Sequence, residues 1–556
     1  MKKLSKVISS LAALALLASA FVGCGQQGQT RVETDGSSFT YWVNMDGNTK
    51  NAGLQNNSEM MLYKEMEKNT GIHIDFIHPA EGTTGNEAAT TMFLDEKLPD
   101  IIKYSWDAYP GGPQQAIDDG VIIALNKELD LSKAAPEYWN YVKDGEMKKA
   151  VTTDSGDYYG FNNLNLGETK GFAGLYVRRD KLKEWNMDVP TNIDEWTALF
   201  AKAKESGFSK PFTAAISDLT FSSGGSSGFN TAYDVGRGFY IDDVDGKAEV
   251  VFAPLQEGFS EYLAQLAAWY KAGYIDPDFA TVASDVIMSN MVNDISVASH
   301  GYIGSAIGKI LPAALDRNPN FDLVACPYPT TADGHESEFQ VCYNPATSTA
   351  NAISWQCGNY EKAAEWCNYV YTEEGMVLQL FGIEGEHHTV EMRDDDGDGV
   401  EEKHYVYTDL IAEPKNSNCN SVAEAMYKYM LPCNYPGYNQ HIDYLMGYYQ
   451  YDQQKEAIVT WNVPANKDGT EADDPNATDT PQEHQLPTLS YTNEESSRVL
   501  ELTTLVEADL GAVFIDVVMG HKSLSDWEAA VDKAMKDGYE EILEIRNAAF
   551  DRYQKK

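Results

Sequence analysis

Aromatic and acidic residues directly follow a segment that the sequence predicts to be a buried strand. The apolar run LPDII at 98–102 is typical of such a strand, and the loop after it carries Trp106, Asp107 and Tyr109. An aromatic ring can stack on the C–H face of a sugar ring, and a carboxylate can accept hydrogen bonds from sugar hydroxyls. The loop therefore has the chemistry of a polyol-binding site. The alternative is that Trp106 only packs the loop.

Asn44 and Asp46 follow a second predicted strand, formed by 39–43. Residues 59–69 then show the one-sided apolar pattern of a helix, and 72–76 alternate as a strand does. The strand–helix–strand order favours a mostly parallel sheet. Ligands of open α/β sheets bind beyond the carboxyl ends of the strands, so the turn with Asn44 and Asp46 is well placed for binding.

The sequence gives little support for catalysis. It contains neither the P-loop motif nor H-E-x-x-H. Among 85 acidic residues some carboxylates will lie close together by chance, so a glycosidase pair cannot be inferred. We therefore expect no enzymatic activity.

The charge balance excludes one class of partner. The chain has 556 residues, enough for two domains, and 42 basic residues against 85 acidic ones give a net charge of −43. Such a surface repels phosphate backbones, so nucleic-acid binding is disfavoured.

The N-terminus predicts export. Lys2, Lys3 and Lys6 precede an apolar stretch, 7–22, that is too short for an ordinary membrane span. It ends in FVGC, which resembles a bacterial lipobox with Cys24 as the acylated residue. This predicts a lipoprotein signal peptide over 1–23 and a flexible tether over 24–38. A plain secretory signal with an incidental cysteine is the alternative.

Three stretches carry a family resemblance. They are LYVRRDKLKEW at 175–185, VPTNIDEW at 189–196 and FIDVVMGHKSLSDWEAAVDKAMKDGYEEILEI at 514–545. Together they resemble the family-1 extracellular solute-binding proteins of bacterial ABC transporters, which are relatives of maltose-binding protein. The resemblance implies an α/β, type II periplasmic-binding-protein fold with two lobes joined by a hinge and a helical C-terminal part.

The resemblance also implies boundaries and further site residues. Lobe 1 is expected over 39–162 and 332–378, and lobe 2 over 163–331 and 379–556, with crossings near 160–168 and 325–338. The stretch 157–185, where relatives cross the hinge, adds Tyr159 and Asn162 to the expected ligand site, and Tyr302 matches a cleft aromatic of relatives.

The function implied is capture of a small solute, with an oligosaccharide favoured, by hinge closure. The expected protein is a monomer, lipid-anchored on the extracellular face of the bacterial membrane, that serves ABC permease subunits. A peptide-binding lipoprotein is the first alternative, and a surface carbohydrate-active enzyme is the second.

Two features stay open. Six cysteines remain after Cys24, and buried free thiols are as plausible as disulfides. Asp394, Asp396 and Asp398 match the front of a calcium loop, but the twelfth position is Tyr405 instead of glutamate. An acidic hairpin tip is the alternative to calcium, and we expect no required cofactor.

Overall fold

The computed structural model describes residues 31–165, 171–221, 228–330, 339, 344–393, 401–432, 435–439, 449–462 and 484–556. Two larger sheets, each covered by helices, organise this part of the chain, and two further pairs of strands form hairpins. The strands are β1 Ser38–Trp42, β2 His73–Ile77, β3 Ile101–Ser105, β4 Phe161–Asn165, β5 Ala173–Arg178, β6 Phe239–Val244, β7 Lys247–Phe252, β8 Ala298–Tyr302, β9 Leu323–Ala325, β10 Ala346–Ile353, β11 His388–Arg393, β12 Glu402–Tyr407 and β13 Gly437–Asn439.

The α-helices fall in three groups along the chain. Before β5 they are α1 Gly47–Asn51, α2 Met61–Thr70, α3 Gly85–Phe93, α4 Gly112–Asp118, α5 Leu125–Glu128, α6 Leu131–Ala134, α7 Pro136–Val142 and α8 Gly145–Val151. Between β5 and β9 they are α9 Arg179–Trp185, α10 Ile193–Glu205, α11 Glu257–Ala272, α12 Ser284–Val292 and α13 Gly308–Leu315. After β10 they are α14 Tyr360–Asn368, α15 Glu373–Phe381, α16 Asp409–Ala412, α17 Val422–Tyr429, α18 Asp452–Asn462, α19 Asn493–Val518, α20 Leu524–Ala534 and α21 Glu540–Gln554.

The first sheet has the order β13-β4-β10-β3-β1-β2. β1 pairs in parallel with both β2 and β3, whereas β10 is antiparallel to β3 and β4. Because successive side chains of a strand point to opposite faces, β1 sends Tyr41 into one apolar core and Trp42 into another. The sheet is therefore buried on both faces.

The second sheet is smaller and has the order β8-β5-β9. Its central strand, β5, is buried along its whole length and is antiparallel to both neighbours. Val177 and Tyr176 point into separate cores. Helices α19, α20 and α21 join the first of these cores through residues such as Phe514, Trp527 and Phe550.

Chain topology corrects one expected boundary. Residues 379–439 were expected in the second lobe, but Phe381, Tyr407 and Met426 lie in the core of the first sheet, and β13 pairs with β4. We define lobe 1 as the described residues of 38–165 and 346–439, and lobe 2 as those of 171–330, 339, 449–462 and 484–556. Among the described residues, the chain passes from one lobe to the other between 165 and 171, between 339 and 346, and between 439 and 449.

The described residues were also compared with what a membrane span and a disulfide require. Within the described ranges, no helix combines the length and the apolar character needed to cross a bilayer. Cys326, Cys357, Cys367 and Cys419 are buried and free. These four cysteines are therefore buried thiols, which is one of the two alternatives that the sequence left open. The other two of the six, Cys342 and Cys433, lie outside the described residues.

Candidate functional site

The carboxyl ends of β1, β3 and β4 meet at one edge of the first sheet. Because β10 is antiparallel to β3, its first residues lie at the same edge. The Ser105 and Thr349 hydroxyls are 2.9 Å apart, and the Ser348 hydroxyl donates to the Asp107 carboxylate at 2.6 Å. With Asn44, which is exposed, these residues form what we call the polar edge of lobe 1: Asn44, Ser105, Asp107, Ser348 and Thr349.

Asp46 lies beside the polar edge and has a second task. Its carboxylate accepts a hydrogen bond from the Asn48 main-chain nitrogen at 2.7 Å and thereby caps α1. The capped helix packs on α17 through Thr49, whose hydroxyl donates to the Tyr427 carbonyl at 3.0 Å. Asp46 therefore holds the loop that presents Asn44.

The structure corrects the expectation for Trp106. Its side chain is 0% exposed, and its indole nitrogen donates to the Ala350 carbonyl at 3.2 Å. The ring packs between Phe93 and Tyr104, with centroids 5.9 and 5.6 Å away. A ring enclosed in this way supports the loop that carries Asp107 but presents no face for stacking.

Tyr109 is corrected in the same way. It is buried, its ring packs edge-on against Phe93, and its hydroxyl donates to Asp119 at 2.9 Å. The strong preference of Trp and Tyr for aromatic neighbours explains why this loop folds inward.

Tyr159 and Asn162 are also buried and form a structural hydrogen-bond network. The Asn162 amide donates to the Tyr159 hydroxyl at 2.7 Å and to the Thr347 carbonyl at 3.0 Å, and it accepts from Tyr138 at 3.0 Å. The network fixes the start of β10 against β4. These two residues position the polar edge and do not lie on it.

Tyr302 lies on the surface of lobe 2 at the end of β8. Its side chain is 41% exposed, and its ring stacks on Phe172 with centroids 5.6 Å apart and planes 16° from parallel. Phe172 directly precedes β5, whose first residue, Ala173, pairs with Tyr302. The two rings form a flat aromatic surface, which we call the aromatic platform.

Three charged or titratable side chains lie close behind the aromatic platform. His300 Nδ1 is 3.5 Å from the Asp218 carboxylate, and the Arg237 guanidinium donates to the Thr220 carbonyl at 2.6 Å and to the Ser217 carbonyl. Burial alone would raise the pKa of Asp218, but His300 and Arg237 together hold it below its ordinary value. Burial lowers the pKa of Arg237. This group fixes the backbone near the platform.

The chain path limits the distance between the polar edge and the aromatic platform. β4 ends at Asn165 on the polar edge, and β5 begins at Ala173 beside Tyr302. Eight residue steps span at most about 28 Å. β13, parallel to β4, also ends at that edge, and the described chain resumes at Tyr449 beside Gly304. The described chain therefore passes twice from this edge of lobe 1 to the part of lobe 2 near Tyr302 and Gly304, which limits how far apart the two can lie.

Sequence reasoning missed Phe172, Ser105, Ser348 and Thr349. Ser105 occupies the last position of β3, and Ser348 and Thr349 occupy the start of β10, so their proximity follows from sheet order alone. Phe172 had one detectable signal, which is its position two residues before the apolar run at 174–177.

Two predicted sites lie outside the described residues. They are Cys24 and the calcium loop with Asp394, Asp396 and Asp398. In the part of the chain that the structure describes, no group of three or more histidine, cysteine or acidic side chains could hold a metal ion. Lipidation and calcium binding therefore stay predictions.

Comparisons with known proteins identify the family and the fold. A family model described as "Bacterial extracellular solute-binding protein" matches residues 51–377. No curated protein sequence matches the chain.

Solved structures with the same fold include three named for sugar ligands. An HMO-binding, ABC-transporter-associated solute-binding protein from Bifidobacterium longum infantis has a TM-score of 0.69 at 15% identity, covering 94% of this chain and 100% of its own. The S. pneumoniae substrate-binding protein FusA, in complex with kestose, has 0.67 at 15%, covering 93% and 99%. The alginate-binding protein AlgQ2 has 0.64 at 18%, covering 94% and 100%. The expected two-lobed α/β, type II binding-protein fold is confirmed.

Proposed function

Because the chain belongs to the family of bacterial extracellular solute-binding proteins, we propose that it captures an oligosaccharide between its lobes and delivers it to an ABC importer. The observation that carries the proposal is the pairing of an exposed aromatic platform on lobe 2 with a hydroxyl- and carboxylate-bearing edge on lobe 1. The names of the structural neighbours support the sugar class, since they bind alginate, HMO and kestose.

Each half of the site offers a different part of sugar recognition. Tyr302 and Phe172 provide an apolar face on which the C–H side of a pyranose can stack. The Asp107 carboxylate accepts hydrogen bonds from sugar hydroxyls, and Ser105 and Thr349 can both donate and accept. A solute that contacts both edges binds the closed arrangement of the lobes better than a separated one. Closure is therefore driven by this difference in affinity.

The cellular context is part of the proposal. The protein acts as a lipid-anchored monomer on the extracellular face of the bacterial membrane, held by an acylated Cys24, and its protein partners are the ABC permease subunits. Binding at a cleft of this kind needs no cofactor and no covalent chemistry.

One sequence pattern bears on the enzyme alternative. Residues 224–228 (GGSSG) fit the serine-hydrolase pattern G-x-S-x-G, in which the serine lies between a strand and a helix. In the described residues on either side, Phe221 lies in a bend and Phe229–Tyr233 form a 3-10 helix. The pattern therefore lacks the flanking elements of that motif and does not favour hydrolysis.

The test is a thermal-shift screen of the protein against oligosaccharides and short peptides, followed by calorimetric titration of each binder. A ligand stabilises the native state by an amount that grows with its excess over the dissociation constant. Stabilisation by a sugar supports the proposal. Stabilisation by peptides alone would favour the peptide-binding alternative, and release of a cleaved product would favour an enzyme.

Tyr302→Ala tests the platform itself. Removing the ring should cost about 1–3 kcal/mol of binding, roughly a five- to hundredfold loss of affinity. Tyr302→Phe keeps the stacking surface and should bind nearly as the parent does. The matched control is Val286→Ala on α12, which removes a side chain of similar exposure, 42%. Equal affinity of Tyr302→Ala and the control would exclude the platform from the site.

A further inference from the structure

Lys103 lies in β3, two residues before Ser105 of the polar edge, and its ammonium group lies over an aromatic ring. Its ammonium group lies 3.8 Å from the centroid of the Tyr435 ring, over the face of that ring. The Tyr435 hydroxyl donates to the main-chain carbonyl of Asn44 at 3.4 Å. The ammonium is therefore adjacent to the loop after β1, at the same edge of the sheet as Asn44.

The ammonium has no counter-ion and no hydrogen-bond acceptor among the described residues. No carboxylate of that part of the chain lies within 4 Å of the Lys103 ammonium. Among the described residues, the ammonium contacts the face of the Tyr435 ring. Asp46 acts on it only at longer range, because that carboxylate caps α1. Burial lowers the pKa of Lys103 to about 8, so the group is largely charged at neutral pH.

A partly buried ammonium with no hydrogen-bonded counter-ion destabilises a fold. Moving a charge away from water is unfavourable unless an opposite charge or hydrogen bonds replace the water. The cation–π contact with Tyr435 offsets part of this cost, since such contacts contribute about 0.5–2 kcal/mol. An apolar side chain of the same length would fill the position with less loss of stability. A charged side chain at a position where it lowers stability indicates a role in binding.

We propose that the Lys103 ammonium receives an anionic group of the solute, so that the protein binds an acidic oligosaccharide that carries a carboxylate. This inference rests on the proposed sugar-binding function and names the substrate class of the same site. The solute carboxylate accepts a hydrogen bond from the ammonium, while its neighbouring hydroxyls reach Ser105 and Asn44.

The overall charge of the protein makes such a local cation necessary for an acidic ligand. With a net charge of −43, the protein surface repels anions at long range. Asp107 on the polar edge adds a nearby negative charge. A buried ammonium acts in a region of lower dielectric than the surface, where a single charge contact is stronger than in water.

The test uses matched sugar pairs and a matched pair of variants. Trigalacturonate and its carboxyl-reduced, neutral product are the first probe pair, and sialyllactose and lactose are the second. Lys103→Met removes the charge at nearly constant length. Lys97→Met, on an exposed position of the same lobe, removes the same net charge away from the site.

We expect the parent protein to bind an acidic member of a pair at least tenfold more tightly than its neutral partner. Lys103→Met should lose roughly 10- to 100-fold of that affinity, as for a hydrogen bond to a charged group, and Lys97→Met should lose none. Tighter binding of the neutral sugars, or equal binding by Lys103→Met, would overturn the inference while leaving the sugar-binding function intact. Failure of every sugar to bind would overturn both.

Stability and pH give readouts that a structural role would not produce. Lys103→Met should unfold at the same temperature as the parent or higher; a clearly lower temperature would show that the ammonium is needed for folding. Ligand binding should raise the pKa of Lys103, so affinity should be constant below about pH 8 and fall above it. A pH-independent affinity between 7 and 10 would contradict the inference.

Discussion

Replacing Trp106 with alanine should destabilise lobe 1 and leave lobe 2 unaffected. The indole is completely buried, so the substitution removes its whole contact surface and opens a cavity that the sheet cannot close. It also leaves the Ala350 carbonyl without the indole donor. Trp→Ala changes in cores cost about 3–5 kcal/mol, and full burial places this one near the upper end.

The assay is guanidinium unfolding combined with hydrogen exchange, because two lobes need not unfold together. A loss of 4–5 kcal/mol corresponds to a shift of about 0.7–2.5 M in the midpoint, since slopes in guanidinium are about 2–6 kcal/mol per molar. Amides of β1, β3 and β10 should exchange faster, while those of β5 and β8 should be unchanged.

Trp461→Ala is the matched control. Trp461 is buried in lobe 2, and its indole nitrogen donates to the Cys326 carbonyl at 2.9 Å. The same deletion there should accelerate exchange in β5 and β9 and spare lobe 1. If Trp106→Ala unfolded with the parent midpoint but lost sugar affinity, the ring would have to face the solute, and our assignment of Trp106 to the core would be refuted.

Two predictions concern the anchor and a contact between the lobes. Cys24→Ser should release the protein from membranes or leave the precursor uncleaved; a processed variant that stays on membranes in cell fractionation would contradict acylation. Asp154→Asn should lower the free energy of unfolding by about 1–3 kcal/mol, because Asp154 of lobe 1 pairs with Arg552 at 2.7 Å and with the nearly buried Lys556 at 3.3 Å. Asp551→Asn is the control for denaturant unfolding and should change little, because Asp551 lies on the helix of Arg552 but is half-exposed and 3.9 Å from its cation, Lys247. An equal effect of both substitutions would exclude the inter-lobe contact as the cause.

The sequence was informative where a local pattern determines the outcome. The β1 and β3 strands and the apolar stripe of α11 follow from side-chain periodicity, which acts within a few residues. The lobe assignment of 379–439 could not follow from it. The hairpin of β11 and β12 has apolar residues such as Tyr405 and Tyr407, but periodicity does not tell which of two cores receives them.

The site was predictable only in part for a related reason. Asn44 and Asp107 follow strands, Tyr302 ends β8, and all three are exposed; their role in binding a solute stays a prediction. Trp106 follows a strand as well, but its ring turns into a cluster with Phe93, a residue of a preceding helix. Whether an aromatic residue near a strand end faces solvent depends on such distant partners, which the local sequence does not specify.

The position of β10 in the first sheet has a consequence for how the chain folds. β10 separates β3 from β4, yet it is synthesised after all of lobe 2 through β9. Until residues 346–353 are available, β3 and β4 each expose an unpaired edge, and strand edges of this kind are prone to aggregation. Long-range pairing of this type also slows folding. A chain that emerges from its N-terminus on the far side of the membrane must therefore delay completing lobe 1, and a holding chaperone there would have its greatest effect during that interval.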